Sequence, residues 1–207
     1  LDLGLAGIHL LGLVVTVLGG TGLINKEIEK RTVLVLISKP ISRLEFILGK
    51  HLGLSAVLAV LMALLAVVYL AVLAVNQIPF SIVSLLLAVL FTCLEMALLT
   101  AAALLFGVFT SSLLATLLTI GVYLMGHLSQ DMVALGKLSE SATFQNVANG
   151  LYLILPDLER LNLRNEAVYG LAIFPSTLEL TGHFIYGVLY TVLLLAVTVF
   201  VFARRQF

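Results

Sequence analysis

The strongest constraint on this chain is the stretch from 46 to 75, FILGKHLGLSAVLAVLMALLAVVYLAVLAV, where charge is confined to Lys50 and His51 near its start. A hydrocarbon core about 30 Å thick needs about 20 such residues as a helix. Lipid offers the backbone no hydrogen-bond partner, so a segment of this composition must be helical to cross it. Four more runs read the same way, at about 3–24, 82–108, 113–130 and 184–203. The expected fold is therefore all-α, a polytopic membrane protein with five spans in one transmembrane domain over 1–207. Only 11% of the residues are charged, against about 25% in a soluble domain, too few to coat a water-facing surface. The net charge of zero gives no footprint for nucleic acid, and the single cysteine, Cys93, excludes an intrachain disulfide or a thiolate cluster.

The connections differ in kind. NQIPFS (76–81) and FTSS (109–112) read as tight turns between antiparallel helices. The segment 131–182 is long and mixed. Within it Phe144, Val147, Ala148, Leu151 and Leu155 recur at helical spacing, opposite Glu140, Gln145, Asn146 and Asn149. That pattern predicts an amphipathic helix suited to a membrane interface, ended by Pro156-Asp157 and followed by a polar excursion, LERLNLRNEAVYG. Lys26, Lys30, Arg31, Lys39, Arg43 and Lys50 gather at the first loop, and Arg204-Arg205 follow the last span. The other side has only Lys137, Arg160 and Arg164. The positive-inside rule then places loop 25–45 and the C-terminus in the cytoplasm and 131–182 outside. The chain opens Leu-Asp-Leu, with neither an initiating Met nor a basic leader, so an upstream segment is expected.

The first loop is the most informative stretch. Asn25 can cap a short helix from Lys26, with Glu27 and Glu29 in its favourable first turn. Ile28, Thr32, Val35 and Leu36 share one face, and Pro40 forbids continuation. Ser42-Arg43-Leu44-Glu45 then reads as a capping box that starts the second span. A basic cluster that holds topology on anionic lipid is the plainer reading. It leaves the interleaved acids and the apolar stripe unexplained.

The string KEIEKRTVLVLISKPISRLEFILGK resembles the cytoplasmic loop of type-2 ABC transporter permeases, nearest to those associated with multicopper-enzyme maturation. LPDLERLN (155–162) and the closing FARRQF resemble the same family's tail. The resemblance implies that Glu27, Glu29, Arg31, Thr32, Lys39, Pro40 and Arg43 form a coupling helix and elbow docked on a separate ATPase. It further implies two ATPase copies, a second copy of the permease as a homodimer, export as the direction, and the inner (cytoplasmic) membrane of a prokaryote. ATP and Mg would bind the partner, leaving this chain with no cofactor and no catalytic residue of its own. Family members have six spans, so the first is expected to lie upstream of these residues.

Other groups invite a chemical reading. Glu95, midway along the third span, costs several kcal/mol at membrane depth unless paired or facing a cavity. It is read either as lining a substrate path or as bonded to a neighbouring helix. His127 and Asp131, flanked by Met125 and Met132, offer copper ligands but do not complete a site, so no metal centre is assigned. His9, His51 and His183 show no ligand spacing. GGTG (19–22) lacks the Lys-Ser/Thr of a phosphate loop and reads as close helix packing; Ala103 and Gly107 form another small pair. The expected function is an ABC permease subunit working with lipids around it and, on the outer side, an accessory protein. The alternative is an ion-gradient-driven transporter or channel using Glu95. An intramembrane enzyme would need a second polar group near Glu95, and the sequence offers none close to it.

Overall fold

The computed structural model describes residues 1–29, 42–139, 142–170 and 173–204, with the backbone alone for 24–29 and 142. Among the described residues the chain is helical, with no strand. Five long helices, α1 (Asp2–Glu29), α2 (Arg43–Val75), α3 (Ile82–Phe109), α4 (Ser112–Leu138) and α7 (Thr177–Arg204), are long and apolar enough to cross a membrane. Between α4 and α7 lie α5 (Ala142–Ile154), a 3-10 turn at Glu159–Leu161 and the short α6 (Arg164–Tyr169).

α3 is the axis of the bundle. The most apolar part of α3 is 56% buried, against 22% for α2, α4 and α7, and it packs chiefly on α1 and α7. Small residues permit this: Ala101, Ala102 and Ala103 are buried, and a Cβ on Gly20 of α1 would meet the Ala103 Cβ at 2.7 Å. GGTG is thus a packing element, and Thr21 adds a hydroxyl contact to Thr116 of α4 at 3.1 Å. The outward faces are apolar as well. On α2, Leu52, Val57, Val60, Leu64, Val67 and Val72 are all at least half exposed. Such a surface suits acyl chains and not water.

Two features of the sequence reading change. The backbone is helical straight through Asn25, so α1 runs to Glu29 and Asn25 caps no new helix. No Pro or Gly lies between Ile24 and Glu29 to break the ladder, and an existing helix extends more easily than a new one nucleates. Second, the polar excursion 158–170 packs into the bundle. Leu158, Leu161, Leu163 and Ala167 are buried with Met62, Met96 and Leu98 in the main core cluster. Asn162 joins Glu159 and Arg164 within it, while its leucines fill the space between α1, α3, α4 and α7. We call 155–170 the roof. The interfacial reading of α5 keeps support from Phe144, Val147, Leu153 and Ile154, which are exposed, and the helix ends at Ile154 just before Pro156.

The capping box is present as expected. The Glu45 backbone N–H donates to Ser42 Oγ at 3.1 Å, and the Ser42 backbone N–H donates to Glu45 Oε2 at 2.7 Å.

Candidate functional site

Polar chemistry gathers at three levels of the bundle. The first is the end where α2 begins and α7 finishes. Arg43 Nη1 donates to the Ala203 carbonyl and, at 3.4 Å, to that of Phe202, so a cation sits on the unpaired carbonyls ending α7. Phe46 stacks on Phe202 with ring centroids 5.6 Å apart, and Ile47 is buried against Val108 and Leu195. This clamp puts the start of α2 and the end of α7 at one end of the bundle. Glu27 and Glu29 lie on the last turn of α1; Arg31, Thr32, Lys39 and Pro40 fall outside the described residues. Arg43→Ala is expected to cost about 1 kcal/mol, the scale of a cation at an exposed helix end. Faster amide exchange confined to 200–204 and the start of α2 is the check.

The second place lies deep between α1, α3 and α4. Glu95 is fully buried, and two imidazoles face it from other helices. His9 Nδ1 stands 3.6 Å from Glu95 Oε2, and His127 Nε2 stands 3.5 Å from Oε1. Tyr123 orders both rings: its hydroxyl lies 3.1 Å from His9 Nε2, and its backbone carbonyl lies 3.1 Å from His127 Nδ1. Both Glu95 oxygens, His9 Nδ1 and His127 Nε2 are buried and make no hydrogen bond among the described residues.

This differs from the sequence reading in three ways. His9, without ligand spacing in the sequence, meets Glu95 and His127 at one point. His127 turns inward to Glu95, while Asp131, one turn along α4, is exposed, so those two do not make a site. Glu95 is enclosed between imidazoles of two other helices and makes no hydrogen bond among the described residues. His51 is separate, its Nε2 lying 3.0 Å from the Ala97 carbonyl. The signal available in the sequence was only that His9, Glu95 and His127 each lie in an apolar run where an ionisable residue needs a partner.

The roof lies over this end of the bundle. Leu158 packs on Gly126, and its N–H donates to the Gly126 carbonyl at 3.2 Å. Asp157, 2% exposed, accepts from Gln130 at 3.0 and 3.1 Å, from the Tyr152 hydroxyl at 3.1 Å and from Arg160 Nε at 2.9 Å. Its own N–H donates to the Tyr186 hydroxyl at 2.8 Å. Bonds to Tyr152 and Asp157 push the Arg160 guanidinium still further up from its already high value. Asn162 bridges Glu159 and Arg164, donating to the first at 3.2 Å and accepting from the second at 2.9 Å.

No curated protein matches the chain. The model of the family described as ABC-2 family transporter protein matches residues 6–207, which takes in all five long helices, the roof and the clamp. A helical bundle with charge gathered at one end and a family match over nearly its whole length make the chain a member of the ABC-2 transporter family, a membrane-spanning permease component of an ABC transporter.

Proposed function

We propose that this permease moves its substrate outward, driven by a separate ATP-hydrolysing subunit that docks on loop 25–45. The observation that carries the reading is the Arg43 clamp, because it joins the exit of the loop to the end of α7. A push on the loop then reaches α2 and α7 together, and both pack on α3. Force applied to an untethered loop would be lost in bending. The base-rich loop and Arg204 share that end, which favours the cytoplasmic side of a prokaryotic inner membrane. Two permeases and two ATPases would form the working unit, with movement at their shared interface opening access alternately. Such a switch requires the ATPase to bind the two permease states unequally. The roof, at the opposite end, is the natural seat for an extracytoplasmic accessory protein. The narrower likeness to permeases of multicopper-enzyme maturation rests on the loop string alone.

The test is charge reversal at Glu27 and Glu29. The Glu27→Lys, Glu29→Lys double variant should insert normally and keep its melting temperature, yet lose at least about 10-fold of permease-stimulated ATP hydrolysis, the equivalent of ~1.4 kcal/mol of coupling. Normal copurification of the ATPase with unchanged stimulation would refute docking through these acids.

A further inference from the structure

We propose that His9, Glu95 and His127 hold one first-row divalent transition-metal ion of the Zn(II) type, pinning α1, α3 and α4 together beneath the roof. This stands on the cluster itself and does not depend on how the ATPase docks.

The argument begins with tautomers. A backbone carbonyl only accepts, so His127 Nδ1, 3.1 Å from the Tyr123 carbonyl, is the protonated nitrogen. Its Nε2 therefore presents a bare lone pair to Glu95 Oε1 at 3.5 Å. At His9 the Tyr123 hydroxyl lies 3.1 Å from Nε2 and can accept from Nε2–H; in that tautomer Nδ1 is equally bare 3.6 Å from Oε2. Lone pairs facing a carboxylate in a dry interior repel unless a cation lies between them. The cation is a proton or a metal.

Distance separates the two. A proton shared between a carboxyl and an imidazole draws the heavy atoms to about 2.7–2.9 Å. Ligands on a tetrahedral ion with bonds of about 2.0–2.2 Å stand about 3.3–3.6 Å apart. The two imidazole–carboxylate contacts, at 3.5 Å to Oε1 and 3.6 Å to Oε2, are longer than a shared proton allows, and one ligand atom from each of the three residues lies within 4.8 Å of the other two. The outer partners agree: each imidazole uses its remote nitrogen on a Tyr123 oxygen, the arrangement that orients metal-bound histidines. Two imidazoles and a carboxylate suit Zn(II) and its neighbours, and no thiolate or thioether is among the three ligands to favour Cu(I). Three protein ligands leave a fourth position for water. Because Glu95 is fully enclosed, the ion would act as a staple between helices and not as a catalyst for an outside substrate.

The experiment uses the full-length protein in nanodiscs, stripped with chelator and reloaded with Zn(II) or Co(II). One ion per chain should bind, and Co(II) should give the intense visible absorption of four-coordinate nitrogen and oxygen ligation. His9→Ala, Glu95→Gln and His127→Ala should each weaken binding by more than the roughly 10–100-fold that losing even an outer partner costs. Tyr123→Phe, which keeps all three ligands, should weaken it by about 10-fold. Zn(II) should raise the melting temperature of the native protein and leave that of Glu95→Gln unchanged. If a ligand variant fails to accumulate, the native Co(II) spectrum and Tyr123→Phe still decide. Metal content no higher than that of a variant combining His9→Ala, Glu95→Gln and His127→Ala would overturn the proposal. So would a Glu95→Gln protein that melts higher than the native one whether or not Zn(II) is present, since that would mark a protonated carboxyl relieved of its burial cost.

Discussion

Asp157→Ala should destabilise the protein by about 3 kcal/mol, the lower end of the cost of orphaning a buried charge pair. The carboxylate gathers Gln130 from α4, Tyr152 from α5 and Arg160 from the roof, so its loss strands three donors at once. The lower end applies because the Arg160 side chain is 40% exposed and can turn toward water. Asp157→Asn keeps an acceptor but gives up the charge and should cost about half as much. Differential scanning in detergent gives the magnitude. Hydrogen exchange gives the place: protection should fall across 155–170 and the facing part of α4, while α2 and the Arg43 clamp stay as they were. Loss spread evenly over all five long helices would mean that the roof is part of the global fold and not a separately anchored lid.

The second large effect is expected at Gly126. A Cβ there would stand 2.7 Å from Leu158 Cγ and 2.8 Å from the Pro156 carbonyl oxygen. A leucine can rotate, but the carbonyl belongs to a backbone fixed by the Leu158 N–H bond to Gly126. Gly126→Ala should therefore cost about 2–3 kcal/mol, the upper range for overpacking, despite a helix propensity that favours alanine by about 1 kcal/mol. Gly121→Ala on the same helix meets nothing within 4 Å and should be neutral or slightly stabilising. Combining Gly126→Ala with Leu158→Ala should recover part of the loss, with a coupling energy above about 1 kcal/mol in a double-mutant cycle. Strict additivity would show that the two residues do not meet.

These predictions separate three tasks that the bundle assigns to different levels. The clamp of Arg43, Phe46 and Phe202 ties helix ends where the loop leaves the bundle. The roof, through Asp157 and Leu158, closes the far end. His9, Glu95 and His127 lie between, joining three helices at one point. Movement relayed from the loop would have to respect or break that joint, so occupancy of the triad would bear on how far α1 and α4 can shift against α3.

What could be read from residue order follows the range of the forces involved. Membrane spans are set by apolar content over about 20 neighbouring residues. The capping box of Ser42 and Glu45 is a contact over three positions. The end of α5 before Pro156 comes from one residue's fixed φ. All are local, so the sequence contains them in full. Boundaries were less legible, since helices outlast their apolar stretch. α4 continues to Leu138 past Asp131, and α7 starts at Thr177. A helix leaving lipid keeps its own hydrogen bonds in water and has no reason to stop at the interface.

The amino-acid order by itself determined a helical membrane bundle, its charged end and the isolation of Glu95 among apolar neighbours. Only the tertiary structure decided that His9 and His127 come to Glu95, and that a segment as polar as LERLNLRNEAVYG folds inward. Hydropathy sums over adjacent residues, whereas a ligand set depends on which faces of distant helices turn toward one another, and that is fixed by packing around Gly20, Ala103 and Gly126.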